Sequence, residues 1–166
     1  KSSPRMSKHA LFLAVSLIAP ALGTNEAGLA FLKENGAKDG VVTLPSGLQY
    51  KALTTSAKAG ALTPTASSLC QCHYAGRLID GTEFDSSIAR GTPANFAPNQ
   101  VIKGWTEAMQ LMREGDKWEL YIPSELAYGN QSRGKLIKAG DVLIFTLELL
   151  KVHAETEHHP AGFVRE

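Results

Sequence analysis

Val101-Ile102-Lys103-Gly104-Trp105-Thr106-Glu107-Ala108-Met109-Gln110-Leu111-Met112 is the stretch on which the fold turns. Trp105, Ala108, Met109 and Met112 fall at i, i+3, i+4 and i+7, so a helix here gathers all four on one face. It is the one strongly amphipathic helix inside the central sequence, and Glu114-Gly115-Asp116 ends it. Downstream the period drops to two. Trp118, Leu120 and Ile122 alternate with Lys117, Glu119 and Tyr121, as in a half-buried strand. Val142 to Val152 makes a longer strand with Leu143, Phe145, Leu147 and Leu149 on one face. Upstream, Leu48 to Thr54 and Ser68 to Tyr74 alternate likewise, and the second run continues through Arg77-Leu78-Ile79. Asp80-Gly81 signals a hairpin, expected as a type I′ turn that returns the chain through Thr82-Glu83-Phe84-Asp85. The sum is an α+β layer design: a largely antiparallel sheet with one helix laid across its apolar face.

The rest of the chain brackets this unit. With 166 residues, 43% hydrophobic and 20% charged, it is sized for one domain with a real core. The net charge is +1 and the lysines and arginines are scattered, so no basic face is offered to phosphates and no nucleic-acid partner is expected. Cys70 and Cys72 share one face of a strand and read as two small buried thiols. So short a loop strains a disulfide, and no second Cys or His cluster has metal-ligand spacing. Asn25 is placed to cap a short helix with Glu26 in its first turn and Gly36 as its stop. Before it, the apolar run Ala10 to Leu22 is too short and too Pro-broken for a stable membrane span. Its end, Ala21-Leu22-Gly23, fits the cleavage pattern of a secretory signal peptide. Residues 1–23 are accordingly assigned to a signal peptide and upstream sequence. A short helix and linker follow at 24–40, the main domain at 41–152 and a polar, His-containing tail at 153–166. The expected location is the secretory pathway or outside the cell, in a compartment such as the endoplasmic reticulum lumen or a periplasm.

Five segments, in order and at matching spacing, resemble the FKBP-type (tacrolimus-binding) peptidyl-prolyl cis–trans isomerases. They are Leu44-Pro45-Ser46-Gly47-Leu48-Gln49-Tyr50, His73-Tyr74-Ala75-Gly76, Asp80 to Ser86, Val101 to Ala108, and Ile122-Pro123-Ser124-Glu125-Leu126-Ala127-Tyr128-Gly129. The closing strand Leu143 to Leu150 completes a pattern covering about Val41 to Val152. The first segment is most similar to macrophage-infectivity-potentiator-like members and their secretory relatives.

The resemblance implies a five- to six-stranded antiparallel sheet wrapped around one short helix, with a pocket between them. Carried over position by position, Tyr74, Phe84, Asp85, Val101, Ile102, Trp105, Tyr128 and Phe145 would line that pocket, and Leu136 and Ile137 would belong to its flap. Asp85, Tyr128 and Trp105 would be the catalytic set. Trp105 would be the floor, Tyr128 and the Ile102 backbone N–H donors to substrate carbonyls, and Asp85 the group that orients Tyr74 or, as the alternative, interacts with the distorted imide. The implied activity is a rotamase acting on X-Pro bonds of folding polypeptides, with tacrolimus-type macrolides as further ligands. Rotation about an imide asks for no nucleophile, metal or cofactor. Two departures stand out: Ala94 replaces an aromatic found in many drug-binding members, and Lys138-Ala139-Gly140 replaces a Pro-containing flap. The competing reading is a non-catalytic binding or chaperone module that keeps the fold. A monomer is expected, because the 24–40 segment is too short for a long dimerisation stalk.

Overall fold

Asn25 opens the first helix as its side chain allows: Oδ1 accepts the Gly28 N–H at 2.8 Å, with Glu26 in the first turn. In the computed structural model, which describes residues 23–153, this helix, α1, runs Glu26–Asn35 and stops at Gly36. Seven strands follow: β1 (Val41–Thr43), β2 (Gln49–Thr54), β3 (Cys70–Arg77), β4 (Glu83–Ser86), β5 (Ala94–Phe96), β6 (Lys117–Ile122) and β7 (Leu143–Val152). The second helix, α2, occupies Lys103–Met109. The strands form one antiparallel sheet in the order β1-β2-β6-β7-β3-β4, and β5 also pairs with β3. β4 and β5 divide one side of β3, taking Ala75–Arg77 and Cys70–Cys72 respectively.

The core lies between α2 and the concave face of this sheet. Cys70, Cys72 and Tyr74 on β3, Trp118, Leu120 and Ile122 on β6, and Leu143, Phe145, Leu147 and Leu149 on β7 all point inward and are buried. Against them α2 sets Trp105, Ala108 and Met109, with Met112 one turn beyond. Each large apolar side chain so buried contributes about 1.5–3 kcal/mol. Gly104 lets the helix approach: a Cβ there would lie 2.6 Å from Ile122 Cγ2.

Three expectations are corrected in detail. The regular part of α2 is shorter than Val101–Met112, because Val101 and Ile102 are extended and deliver the chain to the helix. Met112 keeps its place on the apolar face through an N–H bond to the Ala108 carbonyl at 3.0 Å. The Asp80-Gly81 turn is not type I′, which needs positive φ at both residues. Among the described residues only glycines have positive φ, Gly81 at 88°, and Gly81 N–H bonds to Leu78 O at 3.0 Å. Ile79 and Asp80 therefore form the turn with Gly81 in the left-handed position after it, and a separate bulge leaves Phe84 unpaired between the Arg77–Glu83 and Gly76–Asp85 pairs. Asp80 Oδ1 accepts the Thr82 N–H at 2.9 Å, which holds the aspartate on the negative-φ side. Finally, Tyr121 is buried rather than outward in solvent, because α1 covers the convex face there. Its ring lies 6.0 Å from Phe31, and Gln49 Nε2 donates to Leu32 O at 2.9 Å. Of the leader reading over residues 1–23, all but Gly23 falls outside the described residues, as does the tail beyond His153.

Candidate active site

Trp105 stands in the first turn of α2, and three aromatic rings meet it edge-on: Phe145 at 5.1 Å, Tyr74 at 5.2 Å and Phe96 at 5.8 Å between centroids. Phe84 stands edge-on to Phe145 in turn, at 5.5 Å. Such pairs add about 0.5–1.5 kcal/mol each beyond area burial, so the box is rigid. It opens as a cleft of ≈ 460 Å³ lined by Tyr74, Phe84, Asp85, Phe96, Gln100, Val101, Ile102, Trp105, Tyr128, Arg133, Ile137 and Phe145. Trp105 Nε1 is the one buried side-chain polar atom without a partner among the described residues. Leaving such a donor unpaired costs about 1–3 kcal/mol, which marks the indole as placed for something other than stability.

One edge of the cleft is polar and locked. Tyr74 Oη donates to Asp85 Oδ2 at 2.6 Å, Arg90 Nη2 donates to Tyr74 Oη at 2.9 Å, and Arg90 Nη1 pairs with the other Asp85 oxygen. Partial burial pushes the Asp85 carboxyl up. The bonds from Tyr74 and Arg90 and the charge of Arg90 outweigh it, and the group ends below the usual carboxylate range. Burial and then the bond to Asp85 raise Tyr74, so its hydroxyl stays protonated. Asp85 therefore holds Tyr74 in place as a charged acceptor.

The opposite edge is the turn Ser124–Leu126 that presents Tyr128, followed by the flap. Tyr128 Oη has no hydrogen-bond partner among the described residues, and the Arg133 guanidinium lies 5.0 Å from its ring centroid. Arg133 and Ile137 close the flap with reciprocal backbone bonds of 2.9 and 3.3 Å. Ile137 is turned into the cleft and buried. Leu136 is 44% exposed and lines an adjoining groove with Phe84, Asp85 and Arg133 instead.

The flap departure has a definite geometry. Asp141 N–H bonds to Lys138 O at 3.2 Å and Gly140 has φ +79°, so residues 138–141 follow the type II pattern, in which the second position favours proline. Ala139→Pro should therefore stabilise the protein by about 0.4–1 kcal/mol by restricting the unfolded chain, read as a higher melting temperature. Lys138→Pro should destabilise it, because the Lys138 N–H donates to Asp141 Oδ2 at 2.8 Å.

Of the residues singled out in the sequence, Tyr74, Phe84, Asp85, Val101, Ile102, Trp105, Tyr128, Ile137 and Phe145 come together around one cleft. Phe96, Gln100, Arg90 and Arg133 were not anticipated. Phe96 lies two residues past Ala94 on a three-residue strand and fills the wall where Ala94 offers only a methyl. His73 is on the other face of β3 from Tyr74, bonded to Ser87 Oγ at 3.0 Å. Burial pushes the Cys70 thiol up to about 11 and, with the neighbouring Cys70, the Cys72 thiol to about 12, so neither is a nucleophile at neutral pH.

Comparison with known proteins places this geometry. Residues 60–150 match the family model described as FKBP-type peptidyl-prolyl cis-trans isomerase. Residues 19–52 match that of the domain amino-terminal to it. The chain is 47% identical over 125 residues to the macrophage infectivity potentiator of Trypanosoma cruzi, covering 75% of this chain and 63% of that protein. It is 48% identical over 143 residues to a probable FKBP-type isomerase, FkpA, of Neisseria meningitidis, covering 86% and 51%. It is also 50% identical over 125 residues to the outer membrane protein MIP of Legionella longbeachae, covering 75% and 52%. The chain thus spans roughly half to three-fifths of these relatives' lengths. Among solved structures, a peptidyl-prolyl cis-trans isomerase from Pseudomonas syringae matches with a TM-score of 0.70 at 38% identity, covering 77% of this chain and 92% of that one. FkpA from Escherichia coli matches with a TM-score of 0.70 at 36% identity, covering 76% and 57%.

Proposed function

The chain belongs to the FKBP-type peptidyl-prolyl cis–trans isomerase family, and from that premise we propose that its cleft takes an X-Pro segment and accelerates rotation about the imide bond. The observation that carries this reading is the box of edge-on rings around Trp105, open to a polypeptide on one side and locked on the other by Tyr74, Asp85 and Arg90. The barrier to rotation is ~18–20 kcal/mol and comes from partial double-bond character. Planar resonance separates charge, so water favours the planar imide over the twisted one. A proline ring lowered onto Trp105, between Phe84, Phe96 and Phe145, loses that water. The twisted state is then favoured selectively, which is the condition for catalysis. Tyr128 Oη and the Ile102 N–H are the donors assigned to the flanking carbonyls. Asp85 acts through Tyr74, and neither exchanges a proton with the substrate.

The substrates of this reading are proline-containing polypeptides, and the same apolar box suits tacrolimus-type macrolides. Among the described residues no helix is long and apolar enough to cross a membrane. Together with the apolar leader-like segment before Gly23 and a relative named as an outer membrane protein, this supports action on exported proteins.

The test is turnover of a proline tetrapeptide, with and without tacrolimus, across pH. Histidine is the side chain that ordinarily titrates between about pH 5 and 8, and none lines the cleft. Asp85 is depressed, so its bond to Tyr74 persists above the ordinary carboxylate range and is lost only as pH falls through that depressed value. The expected profile is flat from about pH 6 to 8, with His73→Gln within about threefold of wild type. A bell-shaped profile whose limb disappears in His73→Gln would make proton transfer part of the reaction. A folded protein that binds tacrolimus without turnover would be a binding module instead.

A further inference from the structure

Thr24 lies outside the cleft yet is 5% exposed, and it bonds across the molecule to the turn that carries Tyr128. Its Oγ1 accepts the Ser124 N–H at 2.9 Å and donates to Glu125 Oε2 at 2.6 Å, while its own N–H donates to Glu125 Oε1 at 2.9 Å. The Ser124 carbonyl in turn accepts N–H bonds from Ala127 at 2.9 Å and Gly129 at 2.7 Å, the residues on either side of Tyr128. The Gly129 carbonyl accepts the Gly140 N–H at 2.8 Å, and the Gly140 carbonyl accepts the Asn25 N–H at 2.8 Å. The result is a closed ring of bonds that starts at Thr24, passes both ends of the flap and returns to Asn25. Asn25 Nδ2 adds a bond to Asp141 Oδ1 at 2.9 Å. The approach is close enough that a Cβ on Gly140 would sit 2.9 Å from Gly23 O and 3.1 Å from Asn25 N.

We propose that Thr24 is a positioning residue for the isomerase site: the Gly23–Asn25 strap fixes the Tyr128 turn and the feet of the flap, and so sets where the Tyr128 hydroxyl meets substrate. The proposal rests on the isomerase reading for its effect on turnover, though not for the strap itself. Three features separate it from ordinary packing. Thr24 lines no part of the cleft and is tied to the Tyr128 turn by hydrogen bonds to Ser124 and Glu125. Its hydroxyl serves as acceptor and donor at once, which no apolar residue of the same shape reproduces. Partial burial pushes the Glu125 carboxyl up, but its bonds from Thr24 outweigh this and hold it below the usual range, so the acceptor stays charged at neutral pH.

The experiment compares Thr24→Val, which keeps the shape and removes the hydroxyl, with Thr24→Ser, which keeps the hydroxyl. Leu149→Val, a core change on β7 remote from the strap, serves as a control for general destabilisation. Amide exchange at Gly129 and Gly140 is expected to quicken by about five- to tenfold in Thr24→Val, the equivalent of one hydrogen bond lost, and to recover in Thr24→Ser. The kcat/KM for a proline peptide should fall by about three- to tenfold in Thr24→Val, recover in Thr24→Ser, and stay near wild type in Leu149→Val. Unchanged exchange at both glycines in Thr24→Val, or a serine variant as impaired as the valine one, overturns the proposal. Faster exchange with unaltered kinetics overturns the positioning role. Absence of turnover in the wild-type chain would sink the isomerase reading alone, and the exchange comparison would still decide the strap.

Discussion

Trp105→Ala is expected to lower kcat/KM for a proline peptide by about ten- to hundredfold, the rate equivalent of losing ~1.5–3 kcal/mol of apolar contact with the substrate ring. The same change empties the centre of the box. Tyr74, Phe96 and Phe145 all meet the indole edge-on, so each loses a partner. A truncated, 4%-exposed tryptophan should reduce stability by about 3–5 kcal/mol. The two effects are separable. Trp105→Phe keeps a flat ring on the floor, removes the unpaired Nε1 donor and leaves a smaller void. It should fold at temperatures where the alanine variant does not, and show an intermediate kcat/KM. Circular dichroism fixes the folded fraction before rates are compared. A folded Trp105→Ala protein isomerising at the wild-type rate would remove the indole from the mechanism.

Gly76→Ala is expected to be damaging for the opposite reason. Gly76 faces inward on β3 directly opposite Phe145, and its φ is not in the left-handed region, so backbone conformation does not demand glycine there. Space does. A Cβ would lie 2.6 Å from Phe145 Cε1 and 2.7 Å from Phe84 Cε2 and Cζ. Phe145 is hemmed in by Trp105 and Tyr74, whereas Phe84 is half-buried at the cleft wall, so Phe84 is the ring that yields. Overpacking of this kind costs about 1–3 kcal/mol. The expected result is a melting temperature lower by several degrees and a KM raised more than the thermal loss alone explains. Unchanged KM would show that Phe84 contributes no contact to substrate.

How much of this was legible before the structure depends on periodicity. Trp105, Ala108, Met109 and Met112 repeat at the helical spacing, and β6 and β7 alternate over six and ten residues, so their inward faces could be read directly. β1 and β5 have three residues each, too few to show a period, and Phe96 went unassigned with β5. Alternation alone points Tyr121 away from the core and cannot foresee that α1 folds back over the other face. The Asp80-Gly81 dipeptide marks the place of the turn but not its type, because it suits both a two-residue turn and a left-handed glycine one step later. Arg90 carries no signal at all: an exposed arginine five residues past Asp85 is unremarkable until Ser86–Arg90 turns back and lays it against Tyr74. The strap was similarly hidden, since Thr24 and Glu125 are polar residues a hundred positions apart that are joined only by the fold.

The pairing of β3 with β7 has a further consequence, for the order in which the molecule can assemble. These are central strands of the sheet, and their register joins Cys70 to Val152 and Arg77 to Ile144, residues far apart along the chain. No strand between them can take the place of β7 beside β3, so during synthesis β3 waits with an unpaired inner edge until β7 has emerged. Contacts so distant along the chain carry a large loop-closure entropy and slow the search for the native state. Cutting the chain after β6 should therefore leave a collapsed, aggregation-prone fragment rather than a smaller folded unit. A protein proposed to relieve a slow step in the folding of others carries, in its own topology, a late and all-or-none closing step.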